Sequence, residues 1–378
     1  MVTCQLSTEN TSKDYMNSHI FSGHNLDVSK HLRSEKVQEL IDYCDKSGKN
    51  CEAVNIGRAA FRTSVNFLSN TIFSKDLTDP FSDSDKEFKD LVWNIMVEAG
   101  KPNLVDYFPF LRKIDPQGRR RRMTNHFTKV LQLMSGLIDE RLNERKMGKH
   151  TNGDVLDSLL NICPQEIDRN HIEHLFLDMF VAGSDTTSNT LEWAMAELLK
   201  NPHTLEKAQE ELAQVIGRGK LIDEADVAKL SYLRCVVKET FRIHPPAPFL
   251  IPRKAVEDVE FCGYISPKDS QVLVNIWAIG HDSSLWEDPL DFKPERFWES
   301  DIDVRGQDFE LIPFGAGRRI CPGLPLAIKM VPVTLGSILN TFNWKLQGGI
   351  APNDLDMEEK FGITLAKAQP LLAIPVPL

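Results

Sequence analysis

Cysteine is scarce in this chain and never closely paired. The seven cysteines, at positions 4, 44, 51, 163, 235, 262 and 321, include no Cys-x-x-Cys. This speaks against a disulfide framework or a zinc ribbon and suits a reducing compartment. Surplus positive charge is missing as well. A net charge of -10 argues against nucleic acid as a partner, with the run Arg119 to Arg122 a local exception. Nowhere do apolar residues continue for the ~18 positions that a membrane span needs, and no basic stretch leads into an apolar run at the start. The chain therefore reads as having no signal peptide and no anchor of its own. Internal repeats and long low-complexity segments are absent too, which speaks against a repeat architecture.

What is present is an ordinary globular composition, 42% apolar and 26% charged, in a chain of 378 residues that can bury a large core. Residues 1–16 are polar and aperiodic and read as an irregular N-terminus. Helical periodicity then dominates, so the expected fold class is mainly α with a small β portion. Asp27 is placed to cap a helix from Val28 to Asp45. Further helices are expected over Asn55 to Ser74 and Ser84 to Glu98, and a long basic helix runs to Lys149. Between the last two lies the aromatic, apolar connector Asn103 to Phe110, and a short helix starts at Asp154.

Asp168 opens the longest predicted helix, which ends at Asn201-Pro202 and would span roughly 48 Å. Its centre, Ala182-Gly-Ser-Asp-Thr-Thr187, is poor helix material: Gly costs about 1 kcal/mol against Ala and threonine is stiff at χ1. A local widening is predicted there. Helices Leu205 to Ile216 and Leu230 to Ile243 follow, and His244-Pro-Pro-Ala-Pro248 stops helical structure. Short strands are expected at Phe249 to Ile251, Val259 to Cys262 and Gln271 to Asn275. A final helix reaches about Phe342, and a β-like tail covers Phe361 to Leu378.

The stretch Phe314-Gly-Ala-Gly-Arg-Arg-Ile-Cys-Pro-Gly323 surrounds one thiol with glycines, a proline and two arginines. Glycines let backbone approach a ligand closely, nearby cations and N–H groups favour the thiolate, and the apolar run after Gly323 reads as a helix whose positive end faces the sulfur. The pattern Phe-x-x-Gly-x-Arg-x-Cys-x-Gly resembles the haem-ligand loop of the cytochrome P450 monooxygenases. The wording of Ile312 to Pro325 and Asp356 to Thr364 is similar to plant microsomal members, in the terpenoid-oxidising group that includes geraniol 8-hydroxylase.

The resemblance implies a haem-thiolate fold over residues 17–378 as a single catalytic domain, with haem b held by Cys321 as the axial iron ligand. Arg319 and Arg253 would bind its propionates, and Phe314, Gly317 and Gly323 would shape the ligand loop. Glu239, Arg242 and Arg296 would form the family's structural triad. Read from the residues alone, Glu239 and Arg242 at i and i+3 could be a plain surface ion pair. Thr186 would be the hydroxyl and Asp185 the carboxylate of oxygen activation, the other reading being a helix kink with Thr bonded back to the i−4 carbonyl. Met179, Ala182, Gly183, Ala247, Phe249 and Ile363 would line an apolar pocket, although residues of these types are often plain core. His171 and His174 share a helix face without a third ligand and read as ordinary helix residues.

Implied partners are O2, an apolar terpenoid substrate and NADPH-cytochrome P450 reductase, which the outward-facing Arg318 could meet, acting on a monomer. The implied location is the cytosolic face of the endoplasmic reticulum membrane, for full-length members. Those members carry a longer N-terminal part, with an anchor, much of the small β domain and first helices, so this chain reads as N-terminally truncated. Relatives also have a Trp and an Arg before the position of Asn17 and usually an arginine at that of His281. The same motifs fit two other readings. One is a non-catalytic haem-binding fragment; the other is a haem-thiolate isomerase or dehydratase, against which the Asp185-Thr186 pair speaks.

Overall fold

A computed structural model describes residues 15–78, 84–148, 153–162 and 167–378. Cys4 and Cys163 lie outside the described residues, as does nearly all of the irregular N-terminal segment. Helix α1 covers Lys30–Lys49, α2 Ile56–Phe73, α3 Ser84–Gly100, α4 Arg119–Lys146 and α5 Arg169–Lys200. Helices α6 (Pro202–Val215), α7 (Ser231–Ile243) and α8 (Leu324–Thr341) complete the set of long elements used below. The mainly α class is as expected.

Helix α5 is the spine. Asp168 caps its start, accepting a hydrogen bond from the His171 amide at 2.8 Å, and Pro202 follows its end. Its first half gives Ile172, Phe176 and Phe180 to a core cluster shared with Phe61 and Phe67 of α2, Val92 of α3 and Met134 of α4. Its second half gives Leu191, Trp193 and Leu198 to another cluster, shared with Leu40 of α1, Leu212 of α6, Val236 of α7 and Leu335 of α8. The segment 182–187 falls between these two clusters. The predicted widening is not there: α5 is unbroken α-helix from end to end. The hydroxyls of Ser184, Thr186 and Thr190 each bond back to the carbonyl four residues earlier, and the backbone stays α-helical through them.

The strands are short. β1 (Val54–Asn55), β9 (Leu372–Pro377) and β6 (Phe342–Leu346) form one antiparallel sheet with β9 in the middle. Two-stranded antiparallel pairs are made by β2 (Arg253–Lys254) with β5 (Gln271–Val272), β3 (Val259–Phe261) with β4 (Tyr264–Ser266), and β7 (Glu359–Phe361) with β8 (Leu365–Lys367). The strand predicted at Phe249 to Ile251 is a turn instead, because Leu250 adopts φ 52°, outside the range of strands. β6, which was not predicted, takes over directly where α8 ends.

Two helix starts also differ from expectation. Asp27 sits inside a short helix, Gly23–Val28, whose cap is Ser22, and α1 begins after Ser29. Asn55, by contrast, caps α2 as its position suggests, accepting from the Arg58 amide at 2.8 Å. Helix α8 is apolar and long enough to cross a membrane, yet 67% of it is buried inside the protein, as in a core helix.

Candidate active site

Cys321 lies in the loop that feeds α8, three residues before Leu324. The loop folds on itself through hydrogen bonds from the Cys321 amide to the Phe314 carbonyl at 2.9 Å and from the Ile320 amide to the Gly317 carbonyl at 3.1 Å. Gly315 and Gly317 make this possible with φ values of 72° and 66°, a region costly for residues bearing a Cβ. Phe314 anchors the loop edge-on against Phe241 of α7, ring centres 5.2 Å apart. Gly323 lies alongside the sulfur, since a methyl there would stand 3.7 Å from Cys321 Sγ. Arg318 and Arg319 are exposed and Arg253, on β2, is half-buried.

On α5 the two neighbours assigned to proton handling face different surroundings. Ala182 is exposed and Gly183, Thr186 and Thr187 are half-buried, which makes an open strip midway along the helix. Thr186 Oγ1 donates to the Ala182 carbonyl at 2.7 Å. Asp185 points the other way and is 2% exposed. Its Oδ2 accepts from the hydroxyl of Thr364 at 2.8 Å and from the Asn189 amide group at 3.3 Å. Burial pushes the Asp185 carboxyl above the usual carboxylate range, against the pull of Thr364, the charge of Lys89 and Asn189. The nearest atom to an added methyl at Gly183 is Leu68 Cδ1, at 3.1 Å, so close approach of α2 is one reason for glycine there.

The remaining pocket candidates divide. Phe249 is exposed, Ala247 and Ile363 are half-buried, and Met179 is buried within the core cluster. Ile363 belongs to the turn between β7 and β8, which is pressed against the end of α3: a methyl on Gly100 would run into Ile363 N and come within 2.6 Å of the Gly362 carbonyl carbon.

Glu239, Arg242 and Arg296 are brought together. Glu239 and Arg242 are fully buried and meet in a two-pronged pair, Nε to Oε2 and Nη2 to Oε1, both at 2.8 Å, while Arg296 Nε donates to Oε1 at 2.9 Å. The leftover N–H groups reach backbone carbonyls: Arg242 those of Gly280, Pro289 and Asp291, Arg296 those of Glu287, Asp288 and Asp291. A planar fork is required for this, which lysine lacks. The network holds the irregular stretch 280–296 to α7.

A buried ionic cluster was missed from sequence. His244 sits between Glu197 of α5 and Glu359 of β7, at 2.8 and 2.9 Å, and stacks on Trp193. It follows α7 without any periodic signal, and its partners are far away in the chain. Thr364 was missed for the same reason. His171 and His174 bond locally, to Asp168 and to the Asn170 carbonyl, as ordinary helix residues do.

Among the described residues no three His, Cys, Asp or Glu side chains gather as a metal site, and Cys321 forms no disulfide. A single thiol set among glycines is the donor that suits a macrocycle bringing its own four nitrogens. Residues of this kind fit a haem-thiolate cofactor.

The sequence profile of the cytochrome P450 family matches residues 9–372. Geraniol 8-hydroxylase from Swertia mussotii is 68% identical over 366 residues, covering 96% of this chain and 74% of that protein. Geraniol 8-hydroxylase from Catharanthus roseus is 69% identical over 363 residues, 95% of this chain and 73% of that protein. Drimenol monooxygenase from Persicaria hydropiper is 51% identical over 361 residues, 95% of this chain and 72% of that protein. Among solved structures, a zebrafish cytochrome P450 with progesterone superposes with a TM-score of 0.77 at 25% identity, covering 98% of this chain and 81% of that one. With a match running nearly end to end, and with relatives identical to it at more than half of the aligned positions, the chain belongs to the cytochrome P450 family of haem-thiolate monooxygenases.

Proposed function

We propose that this chain hydroxylates an apolar terpenoid, of which geraniol is the first candidate, using O2 and electrons passed from NADPH by NADPH-cytochrome P450 reductase. The observation that carries this reading is the 68% identity to a geraniol 8-hydroxylase along 96% of the chain. Haem b is the cofactor proposed. When bound, it supplies the oxygen-activating chemistry. Cys321 Sγ would hold its iron, the loop from Phe314 through Gly317 to Gly323 would frame the sulfur, and Arg319 and Arg253 would pair with the propionates.

On the oxygen side, Thr186 Oγ1 lies on the open strip of α5, where its proton is free to turn from the Ala182 carbonyl toward the pocket. The Asp185 carboxyl behind it, raised by burial, is a proton reserve. Ala182, Gly183, Ala247, Phe249 and Ile363, with Met179 behind, form the apolar wall against which the substrate lies. Glu239, Arg242 and Arg296 keep a structural role. A monomer at the cytosolic face of the endoplasmic reticulum membrane is the proposed setting, with Arg318 offered to the acidic reductase.

The test is a carbon monoxide difference spectrum of the reduced, haem-supplemented chain, followed by geraniol turnover with reductase and NADPH. A red-shifted thiolate band and hydroxylated geraniol are expected. A band lacking thiolate character, or none, would favour a non-catalytic fragment. A thiolate band with no terpenoid oxidation would overturn the substrate assignment alone.

A further inference from the structure

The turn between β7 and β8 is tied down on every side. Gly100 at the end of α3 backs it, the Leu365 amide donates to the Pro246 carbonyl at 3.1 Å, and Trp193 Nε1 of α5 donates to the Leu365 carbonyl at 3.2 Å. The fourth tie differs in kind, because it is a side chain that reaches a titratable group. Thr364, 3% exposed, places its hydroxyl 2.8 Å from Asp185 Oδ2.

We infer that Thr364 is a positioning residue for the Asp185 carboxyl, fixing which of its oxygens carries the proton and joining that group to the turn beside the substrate. The inference rests on the proposed role of Asp185 in oxygen activation. Two donors, Thr364 Oγ1 and Asn189 Nδ2, converge on Oδ2. An oxygen that already accepts two hydrogen bonds is the poorer place for the acidic proton, so when Asp185 is protonated the proton belongs on Oδ1. Of the influences holding the buried carboxyl down, the Thr364 hydroxyl is the largest. Other charges facing this region are Lys89 of α3 and Glu192, one helical stretch along α5, which is itself faced by Lys367 of β8. The neighbour of Thr364 is Ile363, in the proposed pocket wall. A substrate that presses on Ile363 therefore acts on the orientation of Asp185 through one backbone step.

Infrared difference spectroscopy on the folded chain tests this without relying on turnover. The carboxyl C=O band of Asp185 is identified as the one that disappears in Asp185→Asn, and is titrated in the parent, Thr364→Val and Thr364→Ser. In Thr364→Val, which keeps the shape, the band should change frequency and titrate at higher pH, while Thr364→Ser should match the parent. An Asp185 band that is unmoved in Thr364→Val overturns the inference. In the haem-loaded protein, Thr364→Val should lose coupling of NADPH use to product with KM unchanged, and Thr364→Ser should restore it. If the infrared shift is seen but Thr186→Ala leaves coupling intact, the oxygen-activation reading falls and the hydrogen-bond assignment stands. Should Thr364→Val not fold, an Asn189→Leu variant tests the same oxygen, since loss of its second donor must move the same band.

Discussion

The imidazole of His244 lies flat on the indole of Trp193, with ring centres 3.8 Å apart and planes 8° from parallel, and each ring nitrogen faces a glutamate. Burial alone would lower the pKa of this histidine, but Glu197 and Glu359 outweigh it and hold it above the ordinary value of 6.5. A folded-state pKa above the unfolded one means stabilisation that is full below the unfolded pKa and lost as pH rises through the folded one. The unfolding midpoint should therefore fall as pH rises from neutral into the alkaline range, and the fall should be shallower in His244→Gln. Equal slopes in thermal melts of the two proteins would show that the imidazolium contributes nothing.

Removing Glu239 leaves two guanidinium groups without their carboxylate, one of them fully buried. Glu239→Ala should cost about 3–5 kcal/mol in urea unfolding, the usual result of breaking a buried pair from one side. Arg296→Lys should cost less, about 1–3 kcal/mol, because it keeps the charge but gives up hydrogen bonds to the carbonyls of Glu287, Asp288 and Asp291. A milder effect for Glu239→Ala than for Arg296→Lys would contradict this ranking.

Gly100→Ala places a methyl against the backbone of Gly362 and Ile363. Backbone cannot move aside as a side-chain end can, so destabilisation of about 1–3 kcal/mol is expected. Substrate affinity should weaken as well, since the displaced turn bears Ile363. Spectral titration with geraniol alongside thermal melts would separate these effects, and a fully parent-like variant would refute the contact.

Thr186→Ala deletes a hydroxyl that now satisfies only the Ala182 carbonyl on the half-open strip. Stability should change by less than about 1 kcal/mol, while NADPH consumption should separate from product formation. Thr186→Ser should keep them together. Parent-like coupling in the alanine variant would remove Thr186 from the proton path.

What could be read in the sequence was what is written locally. Asp168 and Pro202 bracket α5 because capping and proline chemistry act within one turn. The pairing of Glu239 with Arg242 follows from helical spacing, and Arg296 from a motif. The segment 182–187 was misjudged because its composition argues for distortion, whereas each back-bonded hydroxyl finds its acceptor without leaving the helix. Thr364 and Asp185 lie 179 positions apart, and nothing in a pattern of period 2 or 3.6 encodes which residues meet across such a span. Leu250 escaped for a different reason: its φ is positive, and leucine itself gives no hint of that.

Helix α5 lends its two halves to separate core clusters and leaves its middle open between them. Openness to solvent is commonly equated with looseness, but the amides at 182–187 are bracketed by segments that open only when a whole cluster dissolves. Their hydrogens should exchange with solvent as slowly as those of the deep core. The partly open middle of the helix is thus also among the parts least free to fray.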